Sequence, residues 1–130
     1  MTLTRRHHRF TRALVATLAT GLVLVAAAPT ASAAAAVSCS SPGVTNGEGY
    51  AYMNVTANLK VAPYAECGTV AGVSSGTKVW LHCIYYNDYG NYWWYVRIAG
   101  TSTYGWMVEG KLDLVAYDDD GDGSWEPAAC

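Results

Sequence analysis

The sequence predicts an all-β fold, and its size favours a small barrel of about five strands over a sandwich. Two aromatic segments, residues 93–97 and 104–108, are joined by a small polar turn at residues 99–103. Other short segments alternate apolar with polar residues between turn signals, and no segment has a helical period of useful length. The chain of 130 residues has room for one domain after export processing.

The candidate strands follow one another along most of the chain and are separated by glycine, proline, asparagine or serine. They are residues 50–55, 59–61, 67–73, 77–86, 92–98, 104–108 and 110–114. In the fourth of them, alternation places Val79, Leu81 and Cys83 on one face. The chain is therefore divided into a signal peptide (1–33), an N-terminal loop (34–49), a barrel (50–116) and an acidic C-terminal tail (117–130).

The first 33 residues have the layout of a secretory signal peptide. Four arginines precede an apolar run over residues 13–28, Pro29 ends the run, and residues 31–33 form a small-residue cleavage site. A retained membrane anchor is the alternative, but the run is short and rich in alanine. The pair Arg5-Arg6 suggests twin-arginine export as a weaker alternative route. We predict a secreted protein that can associate with the cell wall.

Export changes the charge balance of the chain. All ten acidic residues lie after residue 33, together with only four cations, so the formal charge of residues 34–130 is −6. An acidic domain with few cations argues against nucleic acid and anionic membranes as partners.

Four cysteines in an exported chain predict two disulfides, for which three pairings exist. A hairpin centred at Ser75 would place Cys67 opposite Cys83, within reach of a disulfide. Cys39 and Cys130 lie near the ends of the domain, and such ends are often close. We therefore predict Cys67–Cys83 and Cys39–Cys130. Lipidation of Cys39 is a weaker alternative, because it would leave three cysteines.

Several motifs, in order, resemble bacterial Src-homology-3-like (SH3-like) domains between about Val55 and Leu112. Residues 59–61 (LKV) are similar to the leading L-x-V strand, and 67–70 (CGTV) with 76–79 (GTKV) to the I-G-T-L…G-T-K-V hairpin. Residues 93–97 (WWYVR) are similar to W-Y-K-V-R, and 105–108 (GWMV) with Leu112 to the G-W-V…L ending. The resemblance implies a non-catalytic module that binds wall peptides or other extended chains. Val108 and Lys111 stand where eukaryotic SH3 domains have Pro and Tyr, so P-x-x-P recognition is not expected.

Exposed aromatic side chains are the predicted ligand-binding residues, because flat rings can stack on sugars or extended peptides. The resemblance places Val96 inside the barrel, so Trp94 is expected in the core and Trp93 and Tyr95 on the outer face. The competing interpretation is that a small barrel covers both faces with bulky residues and that Trp93 only packs. The complete predicted ligand set is Trp93, Tyr95, Tyr64, Tyr86 and Tyr89.

The acidic tail contains a second candidate site. Asp118, Asp120 and Asp122 with Gly123 fit the first half of a D-x-D-x-D-G calcium loop. Ala129 stands where the bidentate glutamate of such a loop would be, so the alternatives are weak calcium binding and a solvated acidic tail.

The residues provide no catalytic centre, because His82 is the only histidine after export and no nucleophile has a plausible base. The predicted function is a secreted, monomeric, non-enzymatic module that binds cell-wall peptide or glycan. The alternatives are an effector or inhibitor that docks its aromatic face on a secreted protein, and a structural surface protein without a specific ligand.

Overall fold

The structure is a computed structural model that describes residues 27–32 and 35–130. The chain divides into Met1–Ala33 and Ala34–Cys130, and every described strand lies in the second part. The predicted signal peptide therefore falls almost wholly outside the described residues. Within the described residues, no helix has the length and apolar character needed to cross a membrane.

In the described residues the fold is all-β, as predicted, with eight strands and one short 3-10 turn at Glu109–Lys111. Seven of the strands overlap the seven predicted segments, and the eighth is a two-residue strand near the C-terminus that the sequence did not indicate. The strands are β1 (Tyr50–Met53), β2 (Ala57–Lys60), β3 (Thr69–Val73), β4 (Lys78–Tyr86), β5 (Tyr92–Ile98), β6 (Tyr104–Val108), β7 (Leu112–Val115) and β8 (Ala128–Ala129).

The strands form one sheet in the order β3-β2-β6-β5-β4-β1-β7, with β8 lying parallel beside β4. Strands β4, β5 and β6 form an antiparallel meander. Gly90 and Gly100 adopt φ angles of 81° and 76° in the two turns of this meander. Because side chains with a Cβ rarely adopt positive φ, glycine suits both turns.

One apolar core is lined by residues from seven strands of this sheet. Its buried members are Ala51, Met53, Leu59, Val73, Val79, Leu81, Trp94, Val96, Met107 and Leu112. The core position predicted for Trp94 is therefore confirmed. Alternation along β5 places Trp93 and Tyr95 on the opposite face of the sheet, which we call the outer face.

A bulge in β4 corrects the predicted alternation of that strand. The register with β5 shifts between Leu81 and Cys83, so Cys83 pairs with Tyr95 while Ile84 pairs with Trp94. A bulge adds one residue to one strand and reverses which side chains face inward beyond it. Cys83 consequently does not share the face of Val79 and Leu81, although it is fully buried.

The predicted disulfide pairing is wrong. The disulfides join Cys39 to Cys67 and Cys83 to Cys130, with Cα–Cα distances of 5.5 and 5.2 Å. The expected hairpin between β3 and β4 does not form, because β3 pairs with β2 and β4 pairs with β1 and β5. The turn between them is bonded to β1 instead, where the Gly76 N–H donates to the Met53 carbonyl at 2.7 Å.

The end of the chain packs onto the sheet and does not form a free tail. The Trp125 indole N–H donates to the Glu48 carbonyl at 2.9 Å, and the Cys130 N–H donates to the Ile84 carbonyl at 3.0 Å. The side chain of Trp125 also packs against the core. Residues 125–130 are thus part of the folded domain, and the disulfide from Cys130 links them to β4.

Candidate functional site

A pocket of about 270 Å³ opens on the protein surface where the N-terminal loop approaches two other loops. We call it the N-terminal pocket. Its lining combines hydroxyls, prolines, aromatic rings and one carboxylate from three regions that lie far apart in the sequence. The lining residues are Ser38, Ser40, Ser41, Pro42, Pro63, Tyr64, Tyr85 and Asp88.

The N-terminal wall of the pocket is held by one covalent and one polar contact. The disulfide Cys39–Cys67 ties this segment to the loop that follows β2. Trp106, buried on β6, donates its indole N–H to the Ser41 hydroxyl oxygen at 2.9 Å. Val37 also packs against the buried Cys67. These contacts position three serines at the pocket without any regular secondary structure.

The opposite wall depends on Tyr64 and Asp88. Tyr64 is buried, and its phenol O–H donates to Asp88 Oδ2 at 3.0 Å. Burial and this hydrogen bond to Asp88 raise the pKa of the Tyr64 phenol. The phenol therefore remains a neutral donor at ordinary pH, and it holds the carboxylate in place.

The turn that carries Asp88 is held rigidly by its neighbour Asn87. Asn87 is the buried polar residue of the described core, and its amide donates to the Pro63 carbonyl at 2.8 Å. Its side-chain oxygen accepts the N–H groups of Tyr89 and Asn91 at 3.1 and 3.0 Å. Since a buried amide without partners is costly, these three side-chain hydrogen bonds favour one geometry of the turn.

Trp93 does not have the exposed position predicted for it. It is 5% exposed and lies across from Tyr85 of β4 and Val108 of β6. A second layer lies over this end of the outer face, as the contacts of Trp106 with Ser41 and of Asn87 with Pro63 indicate. Facing outward from the sheet therefore does not mean facing solvent here.

The other predicted ligand residues lie in three places. Tyr64 lines the pocket, and the ring of Tyr89 contacts the ring of Tyr64 edge-on with centroids 5.6 Å apart. Tyr86 is 58% exposed and packs against Tyr92 at 4.8 Å, at the end of the β4–β5 hairpin. Tyr95 is half-buried and lies outside the pocket lining.

Tyr95 belongs to an aromatic row on the outer face. Its ring is stacked on Tyr104 at 6.0 Å and lies 5.2 Å from Trp106. His82 packs against both tyrosines, with centroid distances of 6.1 and 5.4 Å. Burial, and to a lesser degree the positive charge of Arg97, lower the pKa of His82. The imidazole is therefore a neutral packing group near neutral pH.

Two further features of the structure were not predicted from the sequence. Asp88 was not predicted as a site residue, although its position between Tyr86 and Tyr89 in an aromatic segment was a usable signal. A separate aromatic group forms around Lys78, whose ammonium lies 4.0 Å from the ring centroid of Tyr50 and 4.1 Å from that of Trp80. Period-two alternation in β1 and β4 could have found this group, but only once their pairing was known.

The acidic loop is arranged differently from the predicted calcium ligands. Glu48, Asp118 and Asp120 each offer a carboxylate oxygen, and these oxygens lie within 4.8 Å of one another. Asp122 is not in this group, and its carboxylate accepts the Ser124 N–H at 2.8 Å. Glu48 was missed because it precedes the loop by 70 residues of sequence.

Hydrogen bonds and charge shift the pKa values of this loop in opposite directions. The Gly123 and Gly121 N–H groups each donate to the Asp118 carboxylate at 2.6 Å and lower its pKa. The Glu126 N–H lowers the pKa of Glu48, but burial and the negative charges of the nearby aspartates outweigh it and raise that pKa. The loop is thus closed by its own backbone donors, with carboxylates that repel one another.

Comparison of the chain with protein-family models, with curated proteins and with solved structures gives no match.

Proposed function

We propose that the chain is a secreted, non-catalytic module with an SH3-like barrel, and that it holds cell-wall peptide or glycan in the N-terminal pocket. The observation that carries this proposal is the pocket itself. It is concave, it has two tyrosines and two prolines in its lining, and it presents a few polar groups at defined positions. Small ligand sites in proteins combine such features.

The shape of the sheet supports the barrel. Seven strands of a single sheet contribute to one buried core, so the sheet curves around that core. The SH3-like motifs also overlap strands β2 to β7 in the same order, although β3 and β4 do not form the hairpin of the second motif. Both points favour an SH3-like barrel over a flat sheet covered on one face.

The cysteines support an extracellular location. All four are in disulfides, and such bonds persist in oxidising compartments. One of these bonds holds the wall of the pocket, so the binding surface itself depends on an oxidising environment. A cell-wall ligand is found in such an environment.

A binding role agrees better with the pocket than catalysis does. Three serines line it, but a serine nucleophile needs an adjacent base. His82 lies in the aromatic row with Tyr95 and Tyr104 and does not line the pocket. Among the lining residues, the hydroxyls can therefore serve as hydrogen-bond partners for a ligand.

The test is co-sedimentation of the exported, oxidised protein with purified peptidoglycan. Tyr85→Ala removes a half-buried ring from the pocket, and Ser40→Trp fills its exposed mouth without disturbing the core. Tyr52→Ala is the matched control, because it removes an exposed tyrosine of β1 outside the pocket.

We expect the wild-type protein and Tyr52→Ala to pellet with the wall. Tyr85→Ala should bind about tenfold more weakly, as loss of an aromatic contact of ~1.4 kcal/mol implies, and Ser40→Trp should bind at least as weakly because its indole occupies the pocket mouth. Melting curves identify any variant that is unfolded. Failure of the wild-type protein to pellet would refute wall binding.

Docking on a secreted protein is the second candidate function. It is favoured by Tyr86, Tyr89 and Tyr92, each more than half exposed at the end of the β4–β5 hairpin. Rigid tyrosines of this kind supply contact area at low entropic cost in protein interfaces. Recovery of one secreted partner that is lost with Tyr86→Ala and kept with Tyr85→Ala would favour this function over wall binding.

A further inference from the structure

The N-terminal pocket is electrostatically one-sided. Among the described residues, Asp88 is the one carboxylate in its lining, and no lysine, arginine or histidine of these residues lines it. The four cations of residues 34–130 are Lys60, Lys78, Arg97 and Lys111, and none of them forms part of the pocket. A positively charged ligand group would thus be attracted by one carboxylate and would not be repelled by a cationic side chain of the described lining.

Asp88 has acceptor capacity that the fold does not use. Its Oδ2 accepts the Tyr64 O–H, and among the described residues no donor is bonded to its Oδ1. A carboxylate has about four acceptor positions. The hydrogen bond from Tyr64 orients the carboxylate, so a ligand donor would meet a group that is already positioned.

The aromatic rings of the pocket suit a cation as well. Tyr64 and Tyr85 are both in the lining with Asp88. Ring faces attract ammonium groups within about 6 Å of their centroids. The same molecule contains such a contact elsewhere, because the Lys78 ammonium lies about 4 Å from the rings of Tyr50 and Trp80.

The serine hydroxyls complete the set of partners. Ser38, Ser40 and Ser41 line the wall opposite Asp88, and the Ser41 oxygen is held by the Trp106 indole. A primary ammonium has three N–H donors, whereas a quaternary ammonium has none. One carboxylate with several hydroxyl oxygens therefore matches a primary ammonium better than a quaternary one.

The volume of the pocket limits what can enter. At about 270 Å³ it is slightly below the usual range for drug-sized ligands, roughly 300–1,000 Å³. We infer that the pocket selects a free primary ammonium on one amino-acid residue of a wall peptide. This inference rests on the proposed function, and it narrows the ligand from peptide or glycan to a peptide amine, since neutral sugar hydroxyls would not need Asp88.

The experiment uses the oxidised protein and three preparations of one peptidoglycan sample. The first is native, the second has its amines blocked by acetylation, and the third has its amines reductively methylated, which keeps their charge. Asp88→Asn tests the carboxylate and still allows the Tyr64 O–H an acceptor. Asp119→Asn is the control, since it changes the net charge equally at an exposed site outside the pocket.

We expect acetylation to weaken pelleting of the wild-type protein and Asp119→Asn by about tenfold, the usual scale for a charge-assisted hydrogen bond. Methylated wall is expected to bind more weakly than native wall and more strongly than acetylated wall, because a dimethylated amine keeps its charge but only one of its three N–H donors. Asp88→Asn is expected to bind native wall about as weakly as the wild-type protein binds acetylated wall, and to be insensitive to acetylation.

Each departure from this pattern has a distinct meaning. Equal pelleting with native and acetylated wall would overturn ammonium recognition and leave wall binding in place. Equal losses on acetylated and methylated wall would overturn recognition of the charge, and equal binding of methylated and native wall would overturn selection of a primary amine. Absence of pelleting with all three preparations would overturn the proposed function itself. The wild-type comparison does not depend on the folding of any variant.

Discussion

Removal of the Cys39–Cys67 disulfide is expected to abolish binding at the N-terminal pocket while leaving the sheet folded. The perturbation is the double change Cys39→Ala and Cys67→Ala. The matched comparison is Cys83→Ala with Cys130→Ala, which removes the other disulfide and no residue of the pocket lining.

The expected magnitudes follow from the lengths of the closed loops. The bonds span sequence separations of 28 and 47 residues, which correspond to about 3.5 and 4 kcal/mol in the chain-entropy model. The first value is an upper bound for Cys39–Cys67. Cys39 is exposed in a loop that has few other anchors, so the folded state also regains freedom when this bond is removed.

The second bond should approach its full value. Cys83 is fully buried, and Cys130 follows β8, which pairs with β4. Loss of about 4 kcal/mol would lower the melting temperature of a domain of this size by roughly 15–30 °C. The Cys39–Cys67 double variant should lose clearly less.

The assay is thermal unfolding followed by near-ultraviolet circular dichroism, with wall pelleting measured at a temperature where both variants are folded. We expect the Cys39–Cys67 variant to be the more stable of the two and the one that does not pellet. Pelleting of that variant at the wild-type level, or a lower melting temperature than that of the Cys83–Cys130 variant, would contradict this expectation.

Four further predictions concern single residues. Trp93→Ala should destabilise the protein by about 3–5 kcal/mol because this indole is buried, and a melting temperature close to that of the wild type would contradict its burial. Gly105→Ala should cost about 1–3 kcal/mol, since a Cβ there would lie 2.9 Å from Leu59 Cβ; unchanged denaturant unfolding would show that β2 can move away. His82 has a lowered pKa in the folded state, so the unfolded chain binds a proton at this residue more readily. The contribution of neutral His82 to stability is therefore present above its unfolded pKa of 6.5 and is lost as the pH falls below that value. His82→Gln should lose less stability than wild type between pH 7.5 and 5.5 in denaturant unfolding. Calcium at about 10 mM should stabilise the protein by roughly 1–3 kcal/mol if it binds at the millimolar-to-submillimolar affinity of extracellular sites, and Glu48→Gln should reduce this stabilisation. Equal melting curves in calcium and in chelator would show that the acidic loop is closed by its own backbone hydrogen bonds and does not bind calcium.

Local patterns in the sequence were sufficient for the elements and for part of the core. Alternation along residues 92–98 placed Trp94 and Val96 on one face, because every second side chain of a strand faces the same way, and the SH3-like resemblance correctly identified that face as the inner one. The turns at Gly90 and Gly100 were identifiable for a similar reason, since turn chemistry depends on a few adjacent residues. These properties act over a range of two to five residues.

The candidate site was only partly predictable. Tyr64 was identified as a ligand residue and lines the N-terminal pocket, whereas Tyr89, also identified, contacts the ring of Tyr64 and does not line the pocket. Asp88 and the serines were missed because the wall that contains Ser41 is positioned by a disulfide to Cys67 and by Trp106 of β6. No local pattern states which distant segments will meet.

The presence of two disulfides, seven of the eight described strands and the inward position of Trp94 could be predicted from the sequence. The tertiary structure decided which cysteines pair, because β3 joined β2 and left Cys67 far from Cys83 in the sheet order. It also decided that Trp93 is buried, because a second layer lies over the outer face. Both outcomes depend on contacts between segments separated by tens of residues, whose loop-closure entropy and packing are settled only when the whole sheet assembles.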